Sequence, residues 1–137
     1  MAEKKVALKL FAQNKSSSRG RQYDLRQILT TEAQFGAMIQ HESICSPQEV
    51  FSSDEYSYIV YDLAPNGDLF DYISKGRLPS AVTRRYSLQL VQAVQAIHSA
   101  GICHRDLKLE NLVLDANYNL KVIDLGIACP ISGPDGS

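Results

Sequence analysis

The sequence predicts an α+β fold, and three observations carry that expectation. An apolar alternation of period two opens the chain at Val6 and a second strand-like stretch runs up to Tyr61, the pattern of strands with one buried face. Apolar residues at helical spacing recur twice, after Asp24 and again after Pro79. Between the two regions, Pro65 and the Asn66–Gly67 pair break the pattern, so a division is expected near residues 62–67.

Taken in order, the first strand is expected over Val6 to Phe11, with Val6, Leu8 and Leu10 on one face and Ala7, Lys9 and Phe11 on the other. The polar, Ser-rich stretch Ala12 to Gln22 reads as a solvated loop. Leu25, Ile28, Leu29, Phe35 and Ile39 then define an amphipathic helix from about Asp24 to His41. Thr30 and Thr31 lower its propensity slightly. Glu32 falls on the apolar stripe of that helix. A carboxylate there either snorkels to water from an edge position or is buried against a cation from another element.

Two strands follow, Gln48 to Phe51 and Tyr56 to Tyr61, joined by the turn from Ser52 to Glu55. After the connector, Asp68 to Ser74 makes a short helix. Ser80, just after Pro79, is the expected N-cap of a long helix with the stripe Val82, Tyr86, Leu90, Val94 and Ile97. Gly101 stands just past its end as a C′ residue. Two short strands, Leu112–Leu114 and Leu120–Ile123, flank the hairpin residues 115–119. The Pro- and Gly-rich tail has no periodicity, and no internal repeat is present.

Composition bounds the function. A hydrophobic fraction of 45% and a charged fraction of 21% over 137 residues are those of a globular domain, and exclude a fibre or a low-complexity linker. Fourteen Lys and Arg against fifteen Asp and Glu leave a net charge of −1. No global basic field therefore draws in nucleic acid or an anionic membrane. Any phosphate chemistry would rest on a few placed cations. Cys45, Cys103 and Cys129 form no CxxC pair and are odd in number, which favours a reducing interior over a disulfide framework. The N-terminus has no continuous apolar h-region and no stretch approaches the roughly 20 apolar residues of a membrane span. The expected setting is cytoplasmic or nuclear.

The chemistry concentrates between the long helix and the hairpin, in His104-Arg105-Asp106-Leu107-Lys108-Leu109-Glu110-Asn111. Bounded by apolar residues on both sides, this reads as a polar loop anchored in core. Asp124-Leu125-Gly126 follows the second hairpin strand, placing a carboxylate at a strand end. Each residue also has a plainer reading: Lys9 as a solvent-facing strand lysine, Asp124 as a turn residue, His104 as a structural brace, and Cys103 and Cys129 as unreactive small residues.

HRDLKLEN followed by DLG, with VALK upstream, resembles the eukaryotic protein kinase family, whose pattern is a strand lysine, an HRDxKxxN catalytic loop and a DFG turn. YIVYDLAPNGDLFDYI resembles the family's hinge and the helix after it. Lys108 resembles the Ser/Thr branch, and the sequence as a whole is closest to calcium/calmodulin-dependent and AMP-activated kinases. The resemblance implies a partial two-lobe fold, with residues 1–61 in the N-lobe, 62–67 as hinge and 68–137 in the C-lobe. It implies a protein Ser/Thr kinase that uses ATP and Mg²⁺ to phosphorylate hydroxyls of a protein substrate. By the same resemblance Lys9 would hold the α- and β-phosphates and Glu32 would fix Lys9 by an ion pair. Asp106 would orient the substrate hydroxyl, and Lys108 would counter phosphoryl charge. Asn111 and Asp124 would ligate Mg²⁺. Ala7 and Val113 would sandwich the adenine, Asp62 and Ala64 would offer it backbone groups, and Asp68 would meet the ribose. Tyr61 would pack at the back of the nucleotide pocket.

The sequence departs from the family in four places. No GxGxxG precedes the lysine strand and no APE follows the DLG. Leu109 stands for the usual Pro, and Leu125 for the usual Phe. The chain is therefore expected to be roughly half a kinase domain, truncated at both ends. A bare stripe on the long helix would leave it marginally stable. Weak, Mg²⁺-dependent ATP binding with negligible turnover is the expectation for the chain alone. The alternative function is an inactive truncated kinase that acts as a binding or interfering module.

Overall fold

The computed structural model describes residues 4–12, 25–53 and 55–132. Strand β1 (Val6–Ala12) pairs antiparallel with β3 (Tyr56–Asp62), which pairs antiparallel with β2 (Glu49–Ser52), giving the order β1–β3–β2. The register sets Ala7 opposite Tyr61 and Lys9 opposite Ile59. Because side chains alternate, these four residues share one face of the sheet. Helix α1 (Leu25–Met38) packs against that face. The other face carries Val6, Leu8 and Leu10, which are exposed.

Helix α1 is shorter than the apolar spacing suggested. It ends at Met38 rather than His41, because the Ser46 hydroxyl donates to the Ile39 carbonyl at 2.9 Å and turns the chain away. Strand β1 takes in Ala12, one residue beyond the expected end at Phe11, while residues 13–22 of the expected loop and Asp24, like Asp54 of the β2–β3 turn, lie outside the described residues. Strand β2 begins and ends one residue later than expected, although Gln48 still donates its N–H to the Val60 carbonyl. Strand β3 runs on through Asp62, so the connector starts one residue later.

Helix α2 (Leu69–Ser74) is capped by Asp68, whose Oδ1 accepts from the Asp71 N–H at 2.9 Å. Helix α3 (Ser80–Ser99) starts differently from expectation. Pro79, not Ser80, is its N-cap residue, and no side chain caps it. The Pro79 ring presets a φ of −56°, and its carbonyl accepts the Thr83 N–H, which leaves Ser80 inside the helix. Gly101 closes the helix with φ +73°, as a C′ glycine should.

The α3 stripe is not left bare. Tyr86, Ala93 and Ile97 are buried, packed with strands β5 (Leu112–Leu114) and β6 (Leu120–Val122) in one core that includes Leu114, Leu120 and Val122. Leu88 and Val91, on the other side of the helix, stay exposed. In the β5–β6 hairpin, Asp115 Oδ1 accepts the N–H groups of Asn117 and Asn119. Strand β6 ends at Val122, one residue early, since Ile123 gives its N–H to the Asn111 carbonyl.

Two features had no signal in the sequence pattern. A two-residue strand β4 (Ile102–Cys103) pairs with β7 (Cys129–Pro130), which ties the chain before the polar loop to the chain after Gly126. A 3-10 turn, Leu109–Asn111, leads into β5. Residues 43–45 tie the sheet unit to the helical unit: Ile44 bridges to Val122, the Cys45 N–H donates to the Val122 carbonyl and the Val122 N–H donates to the Ser43 carbonyl. No helix among the described residues is long and apolar enough to cross a membrane.

Candidate active site

Lys9 leaves β1 on the helix-facing side of the sheet and meets two carboxylates. Its Nζ lies 2.6 Å from Glu32 Oε2 on α1 and 2.8 Å from Asp124 Oδ1 just after β6. The apolar-stripe position of Glu32 is thereby resolved: the carboxylate is 3% exposed and buried against a cation. Its second oxygen, Oε1, accepts from the Tyr61 hydroxyl at 2.6 Å. Burial pulls the Lys9 ammonium down, but hydrogen bonds and charge from Asp124 and Glu32 more than offset this, and it titrates above its ordinary 10.5. Burial pushes Asp124 up, and Lys9 outweighs it, so the carboxyl is held below its ordinary 3.8.

Asp124 sits in the left-handed region at φ +68°, a strained conformation for a non-glycine residue. Its surroundings hold it there. Besides Lys9, Asp124 Oδ1 accepts the Gly126 N–H at 3.2 Å. Gly126 approaches α1 so closely that a Cβ there would stand 2.8 Å from Ile28 Cγ2. The DLG turn is thus pressed against the helix that carries Glu32.

The polar loop is organised from inside. His104 is buried; its Nδ1 accepts the Asp106 N–H at 3.2 Å, which leaves Nε2–H to donate to the Ile123 carbonyl at 2.9 Å. The ring therefore acts as a brace. Arg105, also left-handed at φ +66°, donates from Nε to the Ile127 carbonyl at 2.7 Å. Asp106 Oδ2 accepts from Lys108 Nζ at 2.7 Å and from Asn111 Nδ2 at 3.0 Å. Lys108, aided by Asn111, holds the Asp106 carboxyl below its ordinary value, and Asp106 in turn holds the Lys108 ammonium up.

A cavity of about 290 Å³ lies between the two units, with Lys9, Glu32 and Asp124 among its lining and Ala7, Val113 and Leu63 contributing apolar surface. Asp62 and Ala64 also border it, so five of the six residues expected to contact a nucleotide, the lysine among them, line one cavity. Asp68 does not line it; its carboxylate is engaged in capping α2. The connector is fixed to β5, with the Asn66 N–H donating to the Leu114 carbonyl and the Leu114 N–H to the Gly67 carbonyl. Cys45 lines the same cavity, unforeseen from the sequence, and burial pushes its thiol up.

Asn111 and Asp124 fit a hard cation by their chemistry. Asn111 turns its Nδ2 to Asp106, and among the described residues no donor meets its Oδ1. Asp124 spends Oδ1 on Lys9 and Gly126 and keeps Oδ2. Among the described residues no group of three or more His, Cys, Asp or Glu is placed to cage a metal. Mg²⁺ commonly takes one or two protein oxygens and completes its shell with water and substrate phosphate.

The contribution of Tyr61 was hidden from sequence reasoning. Packing was all its apolar surroundings suggested, and its partner lies 29 residues away. The one available signal was its strand parity with Ala7 and Lys9 across the sheet.

A strand lysine held by a helix glutamate and a turn aspartate, beside an Asp–Lys–Asn loop, defines a protein-kinase-like α+β domain in partial form. Comparison with known sequences agrees: the protein kinase domain family matches residues 1–135, and the chain belongs to that family. It is 43% identical over 101 residues to the hormonally up-regulated neu tumor-associated kinase of Mus musculus, covering 73% of this chain and 14% of that protein. It is 43% identical over 91 residues to CBL-interacting serine/threonine-protein kinase 15 of Arabidopsis thaliana, covering 66% of this chain and 22% of that protein. CBL-interacting protein kinase 26 of Oryza sativa subsp. japonica is 37% identical over 123 residues, covering 90% of this chain and 24% of that protein. The chain thus spans less than a quarter of the length of these relatives. One of these relatives is named a serine/threonine-protein kinase, and the protein kinase family uses ATP with Mg²⁺.

Proposed function

We propose that this chain carries the nucleotide-binding and catalytic-loop residues of a protein Ser/Thr kinase, transferring the γ-phosphate of ATP to a Ser or Thr hydroxyl of a protein. The observation that carries this reading is the convergence of Lys9 on both Glu32 and Asp124 at the wall of the cavity. Phosphoryl transfer asks the protein for positioning and for charge neutralisation, with little covalent chemistry of its own.

In this reading the cavity holds the base between Ala7 and Val113, with the backbone of Asp62 and Ala64 at its edge. Lys9, fixed by Glu32, presents its ammonium to the α- and β-phosphates. Asn111 and Asp124 are the residues that would hold Mg²⁺, which when bound neutralises phosphate charge during transfer. Asp106 is ionised at neutral pH, and its Oδ1 is left to accept and orient the substrate hydroxyl while Oδ2 is held by Lys108 and Asn111. Lys108 can exchange that contact for the transferring phosphoryl group. Asp68 lies outside the cavity lining, and to meet the ribose it would first have to release the Asp71 N–H.

Transfer of radiolabel from γ-labelled ATP to a Ser/Thr peptide tests this directly. Asp106→Asn keeps the shape of the loop and removes the carboxylate, so transfer should fall by about 10²- to 10⁴-fold. Incorporation above the protein-free background that is equal in the two proteins would overturn the role of Asp106, and incorporation at background in both would favour the inactive, binding alternative.

A further inference from the structure

Tyr61 does more at this site than fill space. It stands on β3 opposite Ala7, on the same sheet face as Lys9 and diagonal to it in the register. The small Ala7 side chain leaves room for the ring, and the hydroxyl reaches Glu32 Oε1 at 2.6 Å while Glu32 Oε2 faces Lys9 at 2.6 Å. Each carboxylate oxygen of Glu32 therefore has one partner, and the two partners approach from different directions. Among the described residues no other donor touches this carboxylate. A side chain buried to 3% exposure and carried on a helix has several rotamers, and a single ion pair would not choose between them.

We propose that Tyr61 is a positioning residue, its hydroxyl locking the Glu32 carboxylate in the rotamer that holds Lys9 toward the cavity. Burial, and after it the Glu32 carboxylate, keep the phenol far above its ordinary value of 10, so the hydroxyl remains a donor across the working pH range. The charged groups facing Lys9 are Glu32 and Asp124. Freeing Glu32 from Tyr61 would leave Asp124 as the only fixed carboxylate at the ammonium. The role assigned to Lys9 rests on the proposed function, whereas the coupling of Tyr61 to Lys9 through Glu32 is a property of the folded chain.

Competitive acetylation at pH 8, read by mass spectrometry at Lys9 against the exposed Lys75, tests the coupling. Tyr61→Phe keeps the ring and its packing and removes only the donor. Without the Tyr61 donor, Glu32 should leave the rotamer that holds Lys9 more often, so labelling of Lys9 should speed about threefold. In a Glu32→Gln background the same Tyr61→Phe change should leave Lys9 labelling unaltered. Equal labelling of the wild type and Tyr61→Phe would overturn the proposal, because ring packing would then account for Tyr61. A threefold change that persisted with Glu32→Gln would overturn it equally, since the effect would not pass through Glu32. The labelling needs no nucleotide. A wild-type chain that bound no ATP would count against the proposed function and leave this result standing.

Discussion

The lysine cluster and the catalytic loop place charged groups a short distance apart, but they are assembled in opposite ways. In the cluster, Lys9 reaches partners 23 and 115 residues away, and Tyr61 reaches one 29 residues away. In the loop, Asp106 is held by Lys108 and Asn111, two and five residues on. The loop's polar shape is written into a short stretch of chain, braced by His104 beneath it and closed by the β4–β7 pair. The cluster exists only if β1, α1 and the DLG turn arrive together. Its geometry therefore depends on the fold as a whole, whereas the loop's Asp106–Lys108–Asn111 contacts close within the loop and its braces reach only to the segment around the DLG turn.

That contrast predicts which substitutions act locally and which act at a distance. The largest stability effect is expected at the brace. His104→Ala removes the acceptor for the Asp106 N–H and the donor to the Ile123 carbonyl, and empties a buried ring volume. Unfolding in urea should show a loss of roughly 2–4 kcal/mol. A loss under about 0.5 kcal/mol, the range of an ordinary surface change, would mean that the loop does not need its brace.

A smaller effect with a longer reach is expected at Gly36, where α1 meets Pro47. A Cβ there would stand 2.4 Å from Pro47 Cδ, a rigid ring atom. Gly36→Ala should cost about 1–3 kcal/mol in urea unfolding, even though alanine favours a helix over glycine by about 1 kcal/mol. Displacement of α1 should also loosen Glu32 from Lys9, so Lys9 should acetylate faster in this variant. Stabilisation, with unchanged Lys9 labelling, would show that α1 has slack.

The smallest effect is the pH signature of the cluster. Lys9 titrates above 10.5 in the fold, so its contribution to stability is complete below 10.5 and fades as pH rises through the folded value. Asp124 titrates below 3.8, so its contribution is complete above 3.8 and fades as pH falls through the folded value. Lys9→Met should flatten both flanks of the urea midpoint plotted against pH. Unchanged flanks would show that the stability profile is set elsewhere in the molecule.

The same contrast explains what was legible in the sequence. The loop could be read directly, because six polar residues between apolar anchors cannot form a buried strand or helix. The Asp115 hairpin and the Gly101 helix end were readable for the same reason: their hydrogen bonds close within a few residues. Glu32 could be recognised as needing a partner but could not name it. Lys9 came from the family resemblance, and the Lys9–Asp124 contact was not foreseen even with it. Ser80 illustrates the limit of local chemistry. It is a good capping residue in isolation, but the preset φ of Pro79 took the N-cap position one residue earlier. Nothing local marked β4 and β7, whose two-residue pairing is imposed by the loop they close.

The most direct test of convergence at Lys9 is titration calorimetry of ATP into the chain, with and without Mg²⁺, for the wild type and Lys9→Ala. If Lys9, held by Glu32, receives the phosphates, ATP should bind in a Mg²⁺-dependent manner. Removing the charged donor should then weaken binding by about 10- to 100-fold. The same affinity in both proteins, or binding indifferent to the metal, would contradict it.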